Sequence, residues 1–166
     1  MKVEDSNALR FILQDELYLL KEDRSAYKGI PSFQHPIETP QATFHYLGSN
    51  KKNFLILVNY PAHEFMADEH LNALESTLNR IGYIREDVAI LNGSKNTNDL
   101  EELIAHFRPK TLLILGEASI PAGMENPPFN LPQNHEGTKV LYTFNFDAMM
   151  TSTGNKKAFW EQMKTL

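Results

Sequence analysis

Four apolar runs set the rhythm of this chain. "FLILV" (Phe54 to Val58), "DVAILN" (Asp87 to Asn92), "TLLILG" (Thr111 to Gly116) and "KVLYTF" (Lys139 to Phe144) are continuous or nearly so. Uninterrupted apolar runs of this length belong to strands covered on both faces, the habit of parallel sheets. Between them the period becomes that of a helix. Leu71, Leu74, Leu78 and Ile81 follow the first run, with Gly82 placed to close the helix. Leu100, Leu103, Ile104 and Phe107 follow the second, where Asn98 and Glu101 have the spacing of a capping box and Pro109 ends the pattern. Phe159, Trp160 and Met163 anchor a last helix from about Asn155 to Met163. The alternation predicts a three-layer α/β/α domain over residues 42–166 with a mostly parallel, four-stranded sheet. Ala42 to Leu47 reads as one more extended segment, and "GSNKKN" as a turn.

Two stretches stand outside this rhythm. Residues 118–137 hold Pro121, Pro127, Pro128 and Pro132 and show little periodicity, so they read as a long loop, either a lid or contact surface or a plain surface excursion. At the other end, Leu9, Ile12, Leu13, Leu17 and Leu20 predict a helix over Ser6–Lys21 with Ser6 as N-cap. Phe11, Tyr18 and Leu19 place apolar groups on its other faces, and such a helix needs more than one neighbour. The organisation expected is therefore a helical segment over 1–22, a linker over 23–41 and the α/β domain.

Charge narrows the function classes. A net charge of −5 argues against a large nucleic-acid footprint, which needs clustered Lys and Arg. The chain has no cysteine, which removes disulfides, thiolate metal sites and cysteine nucleophiles and fits a reducing cytoplasm. No apolar stretch reaches the roughly 18 residues of a membrane span, and Asp15 and Glu16 break the N-terminal apolar run, so neither a membrane anchor nor a signal peptide is expected.

Open α/β sheets bind ligands beyond the carboxyl ends of their strands. Here those ends offer Asn59-Tyr60, Asn92-Gly93-Ser94, Gly116-Glu117 and Asn145-Phe146-Asp147. Amides dominate. Glu117 and Asp147 are the acids immediately at the ends; facing each other they would form an acid/base pair, and otherwise Asp147 caps a turn and Glu117 is solvated. No strand is followed by a glycine-rich phosphate loop or by a G-x-S-x-G elbow. "HEFMADEH" is not H-E-x-x-H. His63 and His70 stand seven residues apart, about 10 Å along an ideal helix and too far for one ion, and read as a solvated helix start. No metal and no cofactor is expected.

The closing stretch resembles the uracil-DNA glycosylase superfamily. There a strand ends in a His-Pro-Ser type motif, followed by a leucine pair, a basic pair and a Trp on the final helix. Here Thr143-Phe144 leads into Asn145-Phe146-Asp147-Ala148-Met149-Met150, then Lys156-Lys157-Ala158 and Trp160. Upstream, "VNYPAH" sits where that family carries Gly-Gln-Asp-Pro-Tyr-His, with Pro61 and His63 in register, and "LLILGEAS" looks like its strand and Gly turn. The resemblance implies the fold. It also implies lost chemistry, because Tyr60 stands where the family has its water-positioning Asp, and Asn145 where it has the His that polarises the uracil carbonyl. Among folds of this type without catalytic motifs, the chain is most similar in pattern to the psi subunits of the bacterial DNA polymerase III clamp-loader complex. "FILQDELYLLKED" looks like their N-terminal segment. That similarity implies a non-catalytic adaptor in DNA replication. Its first helix would meet clamp-loader subunits through Phe11, Leu13, Leu17 and Tyr18, and its globular part a chi-like subunit. The alternative is a glycosylase-like enzyme or a nucleobase or small-molecule binding domain, its pocket lined by Asn59, Tyr60, Asn92, Glu117, Asn145 and Asp147, with Phe144 or Phe146 stacking on a base.

Overall fold

The structure, a computed structural model, describes residues 43–166. The helix expected over Ser6–Lys21, the linker over 23–41 and the anchors Phe11, Leu13, Leu17 and Tyr18 lie outside the described residues. Twelve elements follow in chain order, ten of them regular helices and strands. They are β1 (Tyr46–Gly48), β2 (Phe54–Val58), α1 (Asp68–Arg80), β3 (Val88–Asn92), α2 (Leu100–Phe107), β4 (Thr111–Leu115), β5 (Gln133–His135), β6 (Thr138–Thr143), α3 (Phe146–Thr151) and α4 (Thr153–Met163). Single 3-10 turns at Arg85–Asp87 and Glu117–Ser119 complete the set.

The sheet has six strands where four were expected, in the order β1-β3-β2-β4-β6-β5. The apolar runs form its parallel centre: β2 pairs with β3 and β4, and β4 with β6. Short antiparallel strands close both edges, β1 on β3 and β5 on β6, so the sheet is mixed. Every residue of β2, β3 and β4 is buried, because both faces are covered. The side chains alternate between two cores. Phe54, Ile56 and Val58 face a cluster with Leu74 and Leu78 of α1, Met149 of α3, and Phe159 and Met163 of α4. Leu55 and Leu57 face the opposite cluster with Leu100, Leu103 and Phe107 of α2.

Local chemistry sets the element ends. Gly82, just past the last turn of α1, has φ +83°, the left-handed geometry that terminates helices. The N-cap of α2 is Asp99, not Asn98: the Asp99 carboxylate accepts from the Glu102 N–H at 3.1 Å, while Asn98 Nδ2 donates to the Ile120 carbonyl. The proline-bearing segment after β4 is ordered by the same means. The Ala122 N–H reaches the Asn98 carbonyl at 2.7 Å, the Leu100 N–H reaches the Ala122 carbonyl at 2.9 Å, and the Asn130 N–H reaches the Tyr142 carbonyl at 2.6 Å. It ends in β5 and a tight turn in which Glu136 and Gly137 both take positive φ, the geometry of a two-residue hairpin.

Candidate functional site

The chain leaves β2 for β3 on one side and returns from β3 to β4 on the other. The strand order therefore reverses between β2 and β4, and a ligand crevice belongs at their carboxyl ends. The six pocket residues expected from the sequence each end a parallel strand or follow its end within four residues. Four of the six, however, spend at least one side-chain polar atom on the protein itself.

Asn92, the last residue of β3, is fully buried. Its Oδ1 accepts from the Tyr60 N–H (2.9 Å), the Ser94 N–H (3.2 Å) and the Ser94 hydroxyl (2.8 Å). Its Nδ2 donates to the carbonyls of Tyr60 (2.9 Å), His63 (3.0 Å) and Glu64 (3.2 Å). One amide thus clamps the loop between β2 and α1 onto the end of β3 and has no capacity left for a ligand. Asn59 Nδ2 donates to the Ala118 carbonyl at 2.9 Å, which ties the end of β2 to the turn after β4, across the reversal point. Asn145 caps α3: its Oδ1 accepts from the Ala148 N–H at 2.9 Å. Gly116 is needed beside it, since its φ is +87° and a Cβ there would lie 2.9 Å from the Asn145 Cβ.

Tyr60 forms the second part of the site. Its hydroxyl lies 2.8 Å from His70 Nδ1 in the first turn of α1, and the His70 ring stacks on Phe146 with centroids 5.5 Å apart. His70 is thus half-buried and partnered rather than solvated, and exposed His63 lies in the loop before the helix, which begins at Asp68. Burial, and then the negative charge of Asp147, push the Tyr60 phenol well above its ordinary value of 10. Tyr60 therefore keeps its proton, and its hydroxyl is held in the hydrogen bond with His70 Nδ1. It supplies neither a carboxylate nor a phenolate at this edge.

Asp147 and Glu117 are exposed, and neither carboxylate has a hydrogen bond or ion pair among the described residues. Burial, and then the negative charge of Glu117, raise the Tyr142 phenol, so Glu117 acts on the Tyr142 side of the edge while Asp147 acts on Tyr60. Phe146 is buried in the core and is not free to stack on a base. Phe144 is half-buried and meets Phe129 edge-on at 4.7 Å; Phe129 also touches Tyr142 at 5.2 Å and is 51% exposed. Sequence reasoning missed Phe129 because it sits in the aperiodic proline segment. Among the described residues no three His, Asp or Glu side chains converge to hold a metal. No protein-family model matches the chain, and no curated protein matches it.

Proposed function

We propose that this chain is a non-catalytic adaptor of the psi type, built on a degenerate uracil-DNA glycosylase-like domain. Its partners are clamp-loader subunits, met by the segment over 1–22, and a chi-like subunit, met by the globular domain. The observation that carries the reading is the internal use of the carboxyl edge. Asn92 spends its whole hydrogen-bonding capacity on the backbone, Asn145 caps a helix, Asn59 bridges two loops, and Tyr60 holds its proton against His70. With these four side chains turned inward, the edge presents two exposed acids, Glu117 and Asp147, but few unpaired donors to receive a ligand. A mixed α/β sheet with a parallel centre and helices against both faces is compatible with the reading, and loss of chemistry on a retained fold is a familiar separation.

The test is affinity capture of the tagged chain from its own cells, with partners identified by mass spectrometry. The expected result is recovery of clamp-loader subunits, lost when residues 1–22 are deleted and retained when Asn145 is replaced. Recovery of none, from abundant folded protein, refutes the reading. The alternative, a nucleobase-binding domain, draws on one observation: the exposed Phe129 ring beside Tyr142 and Phe144 at the end of β6. Excision of uracil from single-stranded DNA, abolished by replacement of Asn145, would favour it instead.

A further inference from the structure

A second feature lies between helices, on the face of the sheet that α1, α3 and α4 cover. It is a cleft of about 290 Å³ between α1 and the two C-terminal helices. One wall is a single stripe of α1, carrying Ala73, Thr77 and Arg80 at helical spacing. The facing wall is Met149, Met150 and Trp160, with Lys156 one turn before Trp160 on α4. The volume sits at the lower limit of small-molecule sites, which run from about 300 to 1,000 Å³. It suits the anchoring side chains of a peptide better than a whole cofactor. Methionine walls adapt to varied apolar side chains, the habit of peptide-binding surfaces.

Charge says what kind of peptide. The chain is acidic overall, with 21 acids against 16 Lys and Arg. No acid lines this cleft, yet two cations do, one on each side. Arg80 and Lys156 are exposed, and neither forms an ion pair among the described residues. The Arg80 guanidinium lies over the Trp160 ring at 5.8 Å, which holds it at the mouth of the cleft. An apolar trough flanked by cations complements an amphipathic segment with apolar anchors on one face and carboxylates beside them. Two cations are too few to hold a nucleic acid, whose binding rests on many phosphate contacts.

We infer that the cleft between α1 and α4 is a docking site for an acidic, amphipathic peptide segment of a partner protein. Its apolar side chains lie against Met149, Met150 and Trp160, and its carboxylates pair with Arg80 and Lys156. The site is distinct from the residues 1–22 on which the adaptor reading depends, so failure of one leaves the other standing.

Trp160 is the only tryptophan in the chain, so intrinsic fluorescence reports directly on the cleft. The probe is the acetylated, amidated peptide EELFEELL, titrated into the full chain while Trp160 emission is followed, with anisotropy of a labelled copy in parallel. The expected result is saturable binding, weakened at least tenfold in the glutamine copy QQLFQQLL and at least tenfold in the R80E/K156E variant. Both replaced residues are exposed, so the core is untouched. The lysine copy KKLFKKLL should bind R80E/K156E more tightly than the natural chain, a gain that misfolding cannot produce. No saturable signal up to about 1 mM, equal affinity for the glutamine copy, or no gain on charge reversal overturns the proposal. Displacement of the peptide by a thymidine 20-mer would also overturn it and assign the cleft to single-stranded DNA.

Discussion

Replacing Asn92 with alanine separates an edge built for folding from an edge built for a ligand. The substitution deletes six hydrogen bonds made by one buried amide. They are not equal in cost. Ser94 is exposed, so its hydroxyl and N–H regain water. The Tyr60 carbonyl keeps the His63 N–H at 3.1 Å. The Tyr60 N–H, on a half-buried residue, loses its only partner among the described residues, while the carbonyls of exposed His63 and Glu64 turn to water. A net hydrogen bond is worth about 1 kcal/mol and an orphaned buried group costs about 1–3, so the total loss is about 2–4 kcal/mol. With an m-value of about 2 kcal/mol/M, the urea midpoint falls by roughly 1–2 M. Urea titrations followed by circular dichroism and Trp160 fluorescence measure it, and amide exchange at Tyr60 should accelerate in step. Asn59→Ala, with one exposed bond, should cost about 1 kcal/mol or less. A ligand-binding amide would be partly free in the unliganded protein, so an Asn92→Ala loss below about 1 kcal/mol refutes the structural role.

Three further outcomes are expected. Asn145→Asp should leave stability within about 0.5 kcal/mol, because aspartate caps as well as asparagine, while Asn145→Ala should cost about 1 kcal/mol in the same urea assay. Gly48→Ala should cost at least about 2 kcal/mol, since its Cβ would lie 2.2 Å from the Val88 carbonyl oxygen at φ +102°; Gly82→Ala, with φ +83° but open space, should cost only about 1–2 kcal/mol for the backbone conformation. Lys52, at 2.9 Å, and the Ile84 N–H, at 3.1 Å, hold the Asp87 carboxyl below its ordinary 3.8. Folding therefore favours the carboxylate, and this stabilisation is present above about pH 4 and lost as pH falls through the folded value. Melting temperatures between pH 2 and 6 should fall less steeply on the acid side for Asp87→Asn than for the natural chain, and equal slopes would contradict the assignment.

The parts of the fold legible in the sequence are those where burial fixes the residue type. β2, β3 and β4 are covered on both faces, so their apolar runs are unbroken and their identity as strands is plain. β5 is Gln133, Asn134 and His135, partly or wholly exposed; a polar edge strand has neither run nor alternation, and the "EG" turn after it was the one available signal. β1 is three half-buried residues at the other edge, and its strand begins where the sequence reading of an extended segment nearly ends. The N-cap of α2 was misplaced by one residue because Asn98 and Asp99 are both good caps; the choice is made by the Ile120 carbonyl, brought in from the loop after β4. The same holds for the site. Position at the strand ends was readable from topology. Whether Tyr60 and Asn59 would be spent or free depended on partners far along the chain, His70 at 10 residues and Ala118 at 59, whereas the Asn145 cap on Ala148 is local.

Why amides should crowd this edge has a physical answer. Where loops cross the end of a sheet, they leave both backbone N–H and backbone C=O groups without ladder partners. A carboxylate can serve only the first kind and an ammonium only the second, whereas one amide serves both. Asn92 does so between β3 and the loop after β2, and Asn96 does so for His45, accepting its N–H at 2.7 Å and donating to its carbonyl at 3.0 Å. Asn130 accepts from the Thr143 hydroxyl at 2.8 Å and donates to the Ala158 carbonyl at 3.4 Å, tying the proline segment to β6 and α4. Asn98 is the partial case, with its donor paired and its Oδ1 buried without a partner. The bias toward amides over acids at this edge therefore follows from the work of tying its loops to the strand ends, since that work calls for donor and acceptor on one side chain.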